Sequence, residues 1–335
     1  MLIDTPLNLR TFTVHDRLVL PPMATEKSQG EGLVSQELCD YYNDKTKSGA
    51  FGLVITEHSY VSKMGQASVH QVSCASDFAI PGLSRLVDVI HRNGSKVIAQ
   101  INHAGGKGII GLQGSSESLA PTGMEYTTTR GEKIRSATMD QADIDEVIKD
   151  FAQAARRAKE AGYDGVEIHS AHGYLLNQFY SPLTNKRNDV YTGATIQGRT
   201  RLHCQIIDAL RQTVGNDYLV AIRLGACDYE PGGSSVEDAV LASRIFEAAG
   251  VDLIDVSGGL CGYRGRGSQS EGYFGVESQA IRAAVKVPVM LTGGVKTGHG
   301  AEDLLEEGKA DLIGVGRAVL KDSEWPRKAF AELGL

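Results

Sequence analysis

Two rhythms of apolar and polar positions alternate along the chain. Short runs of buried type recur at 17–20, 51–56, 96–101, 165–168, 218–224, 252–256, 288–291 and 311–315. Each is continuous rather than alternating, as expected of parallel strands covered on both faces. Between them lie stripes at helical spacing. Leu83, Leu86, Val87 and Ile90 share one face of a segment over 81–92. Ile144, Val147, Ile148, Phe151, Ala154 and Ala158 form another from 143 onward. Further helices are predicted over 36–47, with Ser35 as N-cap, and over 199–214, 236–249, 278–285 and 301–307. A last one is interrupted near Pro326. Thr138 and Gln141 offer a capping box before the helix at 143.

Eight strand–helix units in this order predict an α/β fold, a closed (β/α)8 TIM barrel forming a single domain over 1–335. Four strand entries look alike: Ser48-Gly49-Ala50-Phe51, Ala161-Gly162-Tyr163-Asp164, Ala249-Gly250-Val251-Asp252 and Gly308-Lys309-Ala310-Asp311. Each fits a glycine that stops a helix before a strand begins. The rhythm breaks over 102–139 and again over 258–275, where Gly, Ser and Thr replace any sustained period. Loops this long in a compact domain are commonly functional lids or disordered.

Composition narrows the function. The chain has 335 residues, 41% hydrophobic and 22% charged, with net charge −7. There is no basic block to suit nucleic acid and no apolar run long enough for a membrane span. Met1–Thr5 shows no signal-peptide pattern, so a cytoplasmic protein is expected. The five cysteines show no metal or disulfide spacing and are read as free thiols. The expected partner is a small-molecule substrate, and a homo-oligomer is compatible with the sequence.

The chemistry gathers at strand ends. Glu167-Ile168-His169-Ser170-Ala171-His172-Gly173-Tyr174 puts two imidazoles and a phenol just past the fourth strand, where barrels place their active sites. The units at 288–291 and 311–315 end in Thr292-Gly293-Gly294 and Gly316-Arg317. Glycine turns with free N–H groups, plus a guanidinium, suit a phosphate. No Gly-x-Gly-x-x-Gly opens a βα unit, so a Rossmann nicotinamide site is not indicated. Gln100 offers a donor and an acceptor to an amide-like ring edge, and Arg223 offers positive charge. Together these ends suggest a heteroaromatic ring with a phosphate tail. A metal at His169 and His172 lacks a third ligand nearby. The other reading has both imidazoles donating to one substrate oxygen, with Tyr174 as proton donor, since a phenol with pKa near ~10 stays protonated at neutral pH.

These residues resemble the Old Yellow Enzyme family of FMN-dependent NAD(P)H oxidoreductases, or ene-reductases. The resemblance rests on His169-Ser-Ala-His172-Gly-Tyr174-Leu-Leu-Asn-Gln-Phe-Tyr-Ser-Pro182 with Asn185, Arg187, Asp189 and Tyr191. It continues in Pro22-Met23, Gln100 to Gly105, Ile222-Arg223, Gly293-Gly294 and Gly316-Arg317. It implies FMN as cofactor and NADH or NADPH as reductant. By resemblance, Gln100 and Arg223 contact the flavin ring, Pro22, Met23 and Ala24 line it, and Gly293, Gly294, Gly316 and Arg317 hold its phosphate. His169 and His172 bind a carbonyl or nitro oxygen, Tyr174 supplies the proton, and 102–139 caps the substrate. Metal is not expected. Arg264 and Arg266 are weak candidates for the 2′-phosphate of NADPH.

The chain departs from the family pattern in four places. Ala24 stands where Thr or Cys often bonds the flavin, unless Thr25 substitutes. His58 stands where a small residue is usual, narrowing the pocket or adding a flavin contact. Gly106 replaces a common Arg, and Gly198 a common Asn. The implied function is hydride transfer from NAD(P)H through flavin to the activated C=C of α,β-unsaturated carbonyl, nitro or quinone compounds. The alternatives are a flavin-free barrel lyase or isomerase on a phosphorylated metabolite, and a non-catalytic flavin-binding protein.

Overall fold

All eight apolar runs become strands of one barrel. They are β1 (Leu18–Leu20), β2 (Leu53–Tyr60), β3 (Lys96–Asn102), β4 (Gly165–Ser170), β5 (Leu219–Gly225), β6 (Leu253–Ser257), β7 (Val289–Thr292) and β8 (Leu312–Gly314). The protein's structure, a computed structural model, describes residues 1–109, 117–128, 131–264 and 270–335. The strands pair in sequence order, all parallel, and β8 closes onto β1. With a helix after each strand, this is the expected (β/α)8 architecture. The principal helices are α1 (Gln36–Thr46), α2 (Ile80–Arg92), α3 (Gln141–Glu160), α4 (Ile196–Val214), α5 (Val236–Ala249), α6 (Gly275–Arg282), α7 (Gly298–Glu306) and α8 (Trp325–Glu332). Among the described residues no helix is long and apolar enough to cross a membrane.

The local signals behave as their chemistry requires. Ser35 Oγ accepts from Leu38 N and starts α1. Gly49, Gly162, Gly250 and Gly308, the four look-alike strand entries, all take positive φ, which a side chain would resist. One cap differs from expectation. Asp140 and Asp143, not Thr138 and Gln141, exchange backbone hydrogen bonds at the start of α3. Thr138 is still in a strand, and its Oγ1 accepts from Gly123 N instead.

Inside the barrel the two ends differ. Towards the N-terminal ends of the strands, Val19, Leu53, Ile55, Ile98, Leu219, Ala221, Leu253, Met290 and Leu312 form an apolar plug. A hairpin of Leu7–Leu9 and Phe12–Val14, not foreseen from the sequence, seals it with Leu9 and Val14. A closed base leaves the C-terminal mouth as the open end. Around that mouth the chain adds two further pieces. A short helix, Leu175–Tyr180, follows β4. The segment read as an irregular loop carries a sheet of Ser118–Ala120, Lys133–Thr138 and Glu125–Thr127, in that order.

Candidate active site

The strand register builds the floor of the mouth. Gln100 lies beside Glu167, His169 beside Arg223, and Arg223 beside Asp255. Gln100 Nε2 donates to Glu167 Oε1 at 2.7 Å, and Thr292 Oγ1 donates to Asp255 Oδ1 at 3.0 Å. Arg223 Nε stands 3.1 Å from Asp255 Oδ2. Both carboxyls are fully buried, and burial raises their pKa values while the guanidinium opposes the rise. The floor is therefore polar and held from below, with Gln100 and Arg223 facing a cavity of about 1120 Å³.

His169 sits one step earlier than the sequence reading placed it. β4 runs on to Ser170, so His169 is a strand residue rather than a residue of the following turn. Its pairing with Arg223 fixes it rigidly. His172 lies in the turn, at φ +61°, and Gly173 follows at φ +73°. Two left-handed residues in succession are costly for His172, and such strain is typical of functional turns. The turn is clamped from several sides. Asn177 Oδ1 accepts from Gly173 N, and Gln178 Nε2 donates to Gly173 O and Ala104 O. Asn185, Arg187, Asp189 and Tyr191 serve the scaffold too. Asn185 Nδ2 donates to Phe179 O and Tyr191 O, and Arg187 Nη1 donates to Pro121 O and Met139 O, tying the capping segment down.

The turn gathers four rings. The centroid of His169 lies 5.0 Å from that of His172 and 5.2 Å from that of Tyr174. His58 stacks on Tyr174 at 5.6 Å. Burial lowers the pKa of His169 and His172 well below the ordinary histidine value; Arg223 contributes to both, and for His169 the neighbouring His172 contributes more. They are neutral imidazoles. His169 Nδ1 is buried without a partner, while His172 Nε2 lies 2.8 Å from Ser257 Oγ. Burial pushes the Tyr174 phenol up to about 12, so it keeps its proton. The Lys107 ammonium donates to His172 O at 2.9 Å and lies 5.9 Å from the centre of the Tyr174 ring. The described residues contain no cluster of His, Cys, Asp or Glu that would hold a metal ion.

At the other end of the cavity the glycine turns meet an aromatic wall. A Cβ on Gly294 would come 2.5 Å from the Tyr273 ring, and one on Gly316 would come 3.1 Å from Met23 Sδ. Arg317 Nη2 donates to the Tyr273 hydroxyl at 3.1 Å. The residues read from the sequence as catalytic or flavin-binding line this one cavity: Pro22, Met23, Ala24, His58, Gln100, His169, His172, Tyr174, Arg223, Gly293, Gly294, Gly316 and Arg317. Arg264 lines it as well, whereas Arg266 lies outside the described residues. Sequence reasoning missed Lys107, Thr127, Tyr263 and Tyr273 and set Lys296 aside as lying just past the seventh strand's turn, yet all five are in its wall. Lys107 was the findable one, because it follows Gln100-Ile-Asn-His103-Ala-Gly105 almost directly.

The departures from the family pattern have physical explanations. Thr25 donates through Oγ1 to Glu57 Oε1 at 2.7 Å and through its backbone N–H to Oε2, so its hydroxyl is spent and does not stand in for Ala24. A Cβ on Gly106 would collide with the ring of Tyr126, which fills the room an arginine stem would need. A Cβ on Gly198 would collide with Thr192 O, so the first turn of α4 packs onto that loop only with glycine there.

The arrangement fits FMN. Gln100 presents an amide to a ring edge, and the Arg223 guanidinium, ion-paired through Nε to the buried Asp255, lines the same cavity. Among the described residues cations dominate the wall: Lys107, Arg223, Arg264, Lys296, Arg317 and Lys321 face one carboxylate, Asp322. That balance suits a phosphate-bearing ligand.

Comparison with known proteins agrees. Residues 3–335 match the model of the NADH:flavin oxidoreductase / NADH oxidase family. The chain is 34% identical to an NADPH dehydrogenase of Geobacillus sp. (strain WCH70), over 99% of its own length and 95% of the relative's. It is 35% identical to an NADH oxidase of Thermoanaerobacter brockii over 95% of its length, but spans only 49% of that protein. A solved complex of 2-naphthoyl-CoA reductase with 2-naphthoyl-CoA superposes with a TM-score of 0.92 at 26% identity, covering 99% of this chain and 52% of the other.

Proposed function

The chain belongs to the NADH:flavin oxidoreductase / NADH oxidase family, and from that premise we propose that it reduces the activated C=C bond of α,β-unsaturated carbonyl and nitro compounds. Its membership makes it an FMN-dependent NAD(P)H oxidoreductase of the Old Yellow Enzyme type. That leaves no room for a flavin-free lyase or a carrier without activity. Which acceptor it reduces is read from the site.

Gln100 and Arg223 would hold the flavin ring over the shelf of Pro22, Met23 and Ala24. Gly293, Gly294, Gly316 and Arg317 would hold its phosphate. FMN, when bound, supplies the redox chemistry between NAD(P)H and the acceptor. The chain's own residues do the rest. His169 and His172, being neutral, each offer an N–H to the acceptor's oxygen and draw electron density out of the alkene. The alkene gains a hydride at its β-carbon. Tyr174 delivers the proton to the α-carbon, and water or buffer returns it. Thr127, at the end of the strand Glu125–Thr127, and the adjoining Thr128 line the cavity and would cover the acceptor.

One observation carries the reading. Two uncharged imidazoles and a protonated phenol stand within about one ring's width of one another, in a cavity whose wall is rich in cations. The test is Tyr174→Phe in FMN-loaded enzyme. Reduction of 2-cyclohexenone should fall by two orders of magnitude or so, the scale of general-acid catalysis, while oxidation of NAD(P)H continues. Undiminished cyclohexenone reduction would end the proposal.

A further inference from the structure

We propose that His58 is a third hydrogen-bond donor of the acceptor site, held as its Nε2–H tautomer by Gln71. On this proposal it favours alkenes that carry a second oxygen on the far side of the double bond, the unsaturated 1,4-dicarbonyls. This rests on the reading of His169, His172 and Tyr174 given above.

The argument begins behind the ring. Gln71 is buried, and both ends of its amide are spoken for. Oε1 accepts from Ala67 N at 2.6 Å. Nε2 stands 3.1 Å from the carbonyl oxygen of His58 and 2.8 Å from its Nδ1. Exchanging oxygen and nitrogen would set the amide oxygen against a carbonyl and the amide NH2 against a backbone N–H. The two backbone groups therefore fix the orientation, and Nε2 is the donor to Nδ1. Asn102, fully buried, brings its Nδ2 to 3.3 Å from the same ring nitrogen. With donors facing it, Nδ1 carries no proton. The single imidazole hydrogen must sit on Nε2, and Nε2 is the polar edge left for the cavity that His58 lines. Burial lowers the ring's pKa to about 4, which agrees with a neutral ring.

The position gives this donor its partner. His58 lies nearly parallel to Tyr174, with 26° between the rings, and edge-on to His169 at 6.2 Å. His169 and His172 take one oxygen and Tyr174 serves the α-carbon; His58, flanking both Tyr174 at 5.6 Å and His169 at 6.2 Å, would then meet a second oxygen carried on the other side of the double bond. An unsaturated 1,4-dicarbonyl sets its two oxygens about 5 Å apart by ordinary bond lengths. That is the scale of the gap between the His169 and His58 rings. A mono-enone leaves the Nε2–H without an acceptor, which is the condition under which a polar site discriminates.

Two measurements test this. The first needs no turnover. Long-range proton–nitrogen correlation on histidine-labelled protein, with His58→Gln used for assignment, should give a pyridine-like Nδ1 and a pyrrole-like Nε2. That pattern should persist to pH 5 and should be lost in Gln71→Leu. A protonated Nδ1 would overturn the proposal. The second uses FMN-loaded enzyme with N-methylmaleimide and 2-cyclohexenone. In His58→Ala the ratio of kcat/KM for the maleimide to that for cyclohexenone should fall about tenfold, the worth of one neutral hydrogen bond. His58→Gln, which keeps an N–H donor, should recover part of it. An unchanged ratio, or a loss confined to FMN binding, would overturn it. Failure of the wild type to reduce either compound would instead strike the function proposed above.

Discussion

Ser257 Oγ lies 2.8 Å from Nε2 of His172, and this contact decides which edge of the imidazole faces the cavity. With Nε2 engaged by a hydroxyl from the end of β6, His172 has Nδ1 left for a ligand. Ser257 is fully buried and touches no acceptor itself, so it acts by positioning. Ser257→Ala should raise the KM for 2-cyclohexenone and lower kcat/KM roughly tenfold, as expected for one hydrogen bond. FMN affinity should stay as it was. Steady-state kinetics beside a flavin titration will check this, and a parallel loss of flavin would show a broader structural role.

The protonation states give a pH profile. A neutral imidazole must charge only in acid, because burial lowers its pKa, and the His169 and His172 values lie well below the ordinary histidine value. The Tyr174 phenol must ionise only in strong base, because burial raises it to about 12. The active forms therefore persist between these limits. The rate of acceptor reduction by pre-reduced enzyme should show no bend at about pH 6.5 or about pH 10, the ordinary histidine and tyrosine values, and any bend between them would belong to the buried Glu167 and Asp255 of the floor, whose pKa values burial raises. Stopped-flow mixing without oxygen measures it. A bend at either value would mean that the corresponding group is not buried as described.

How much of this was legible beforehand depended on whether the signal was local. The strand runs and the helix stops at Gly49, Gly162, Gly250 and Gly308 follow from residue type, and they emerged where expected. Gly294 and Gly316, read as phosphate-binding turns from their place after the last two strands, do line the cavity. The contacts of Tyr273 and Lys107 were not legible. Their partners lie far along the chain, in the turns after β7 and β8 and in the turn after β4. The sheet over 118–138 escaped for another reason. Its strands are short, and the central one, Lys133–Thr138, is mostly exposed or half-buried, so no period betrays it. Thr138 reads as a cap because a hydroxyl shortly before α3 looks the same in sequence whether its backbone ends a strand or opens a helix.

Tyr126 and Gly106 form a matched pair. The Tyr126 ring occupies the space over Gly106, and even a methyl group there would collide with it. Gly106→Arg restores the family's common residue at a place that has no room for it. Overpacking of this kind costs about 1–3 kcal/mol. The single variant should lose thermal stability, and adding Tyr126→Ala should recover part of the loss, although each change alone is unfavourable. Thermal unfolding of the three variants forms a double-mutant cycle. Strict additivity would show that the two sites do not share the space.

On the proposed placement of the flavin, Ala24 offers the ring no side-chain donor, and the neighbouring Thr25 hydroxyl is committed to Glu57. A donor beside the ring favours the reduced state, which carries more negative charge than the oxidised one. Ala24→Thr would supply that donor at the position where the family often has one. A hydrogen bond worth about 1 kcal/mol corresponds to roughly 20 mV for a two-electron couple. The flavin potential of Ala24→Thr should therefore rise by roughly that amount, speeding reduction by NAD(P)H and slowing transfer to the acceptor. Equilibration with a reference dye reads the potential directly. An unchanged potential would mean that the introduced hydroxyl bonds elsewhere, and Glu57→Gln, which loosens Thr25, would then reveal whether the shelf can be supplied from position 25 instead.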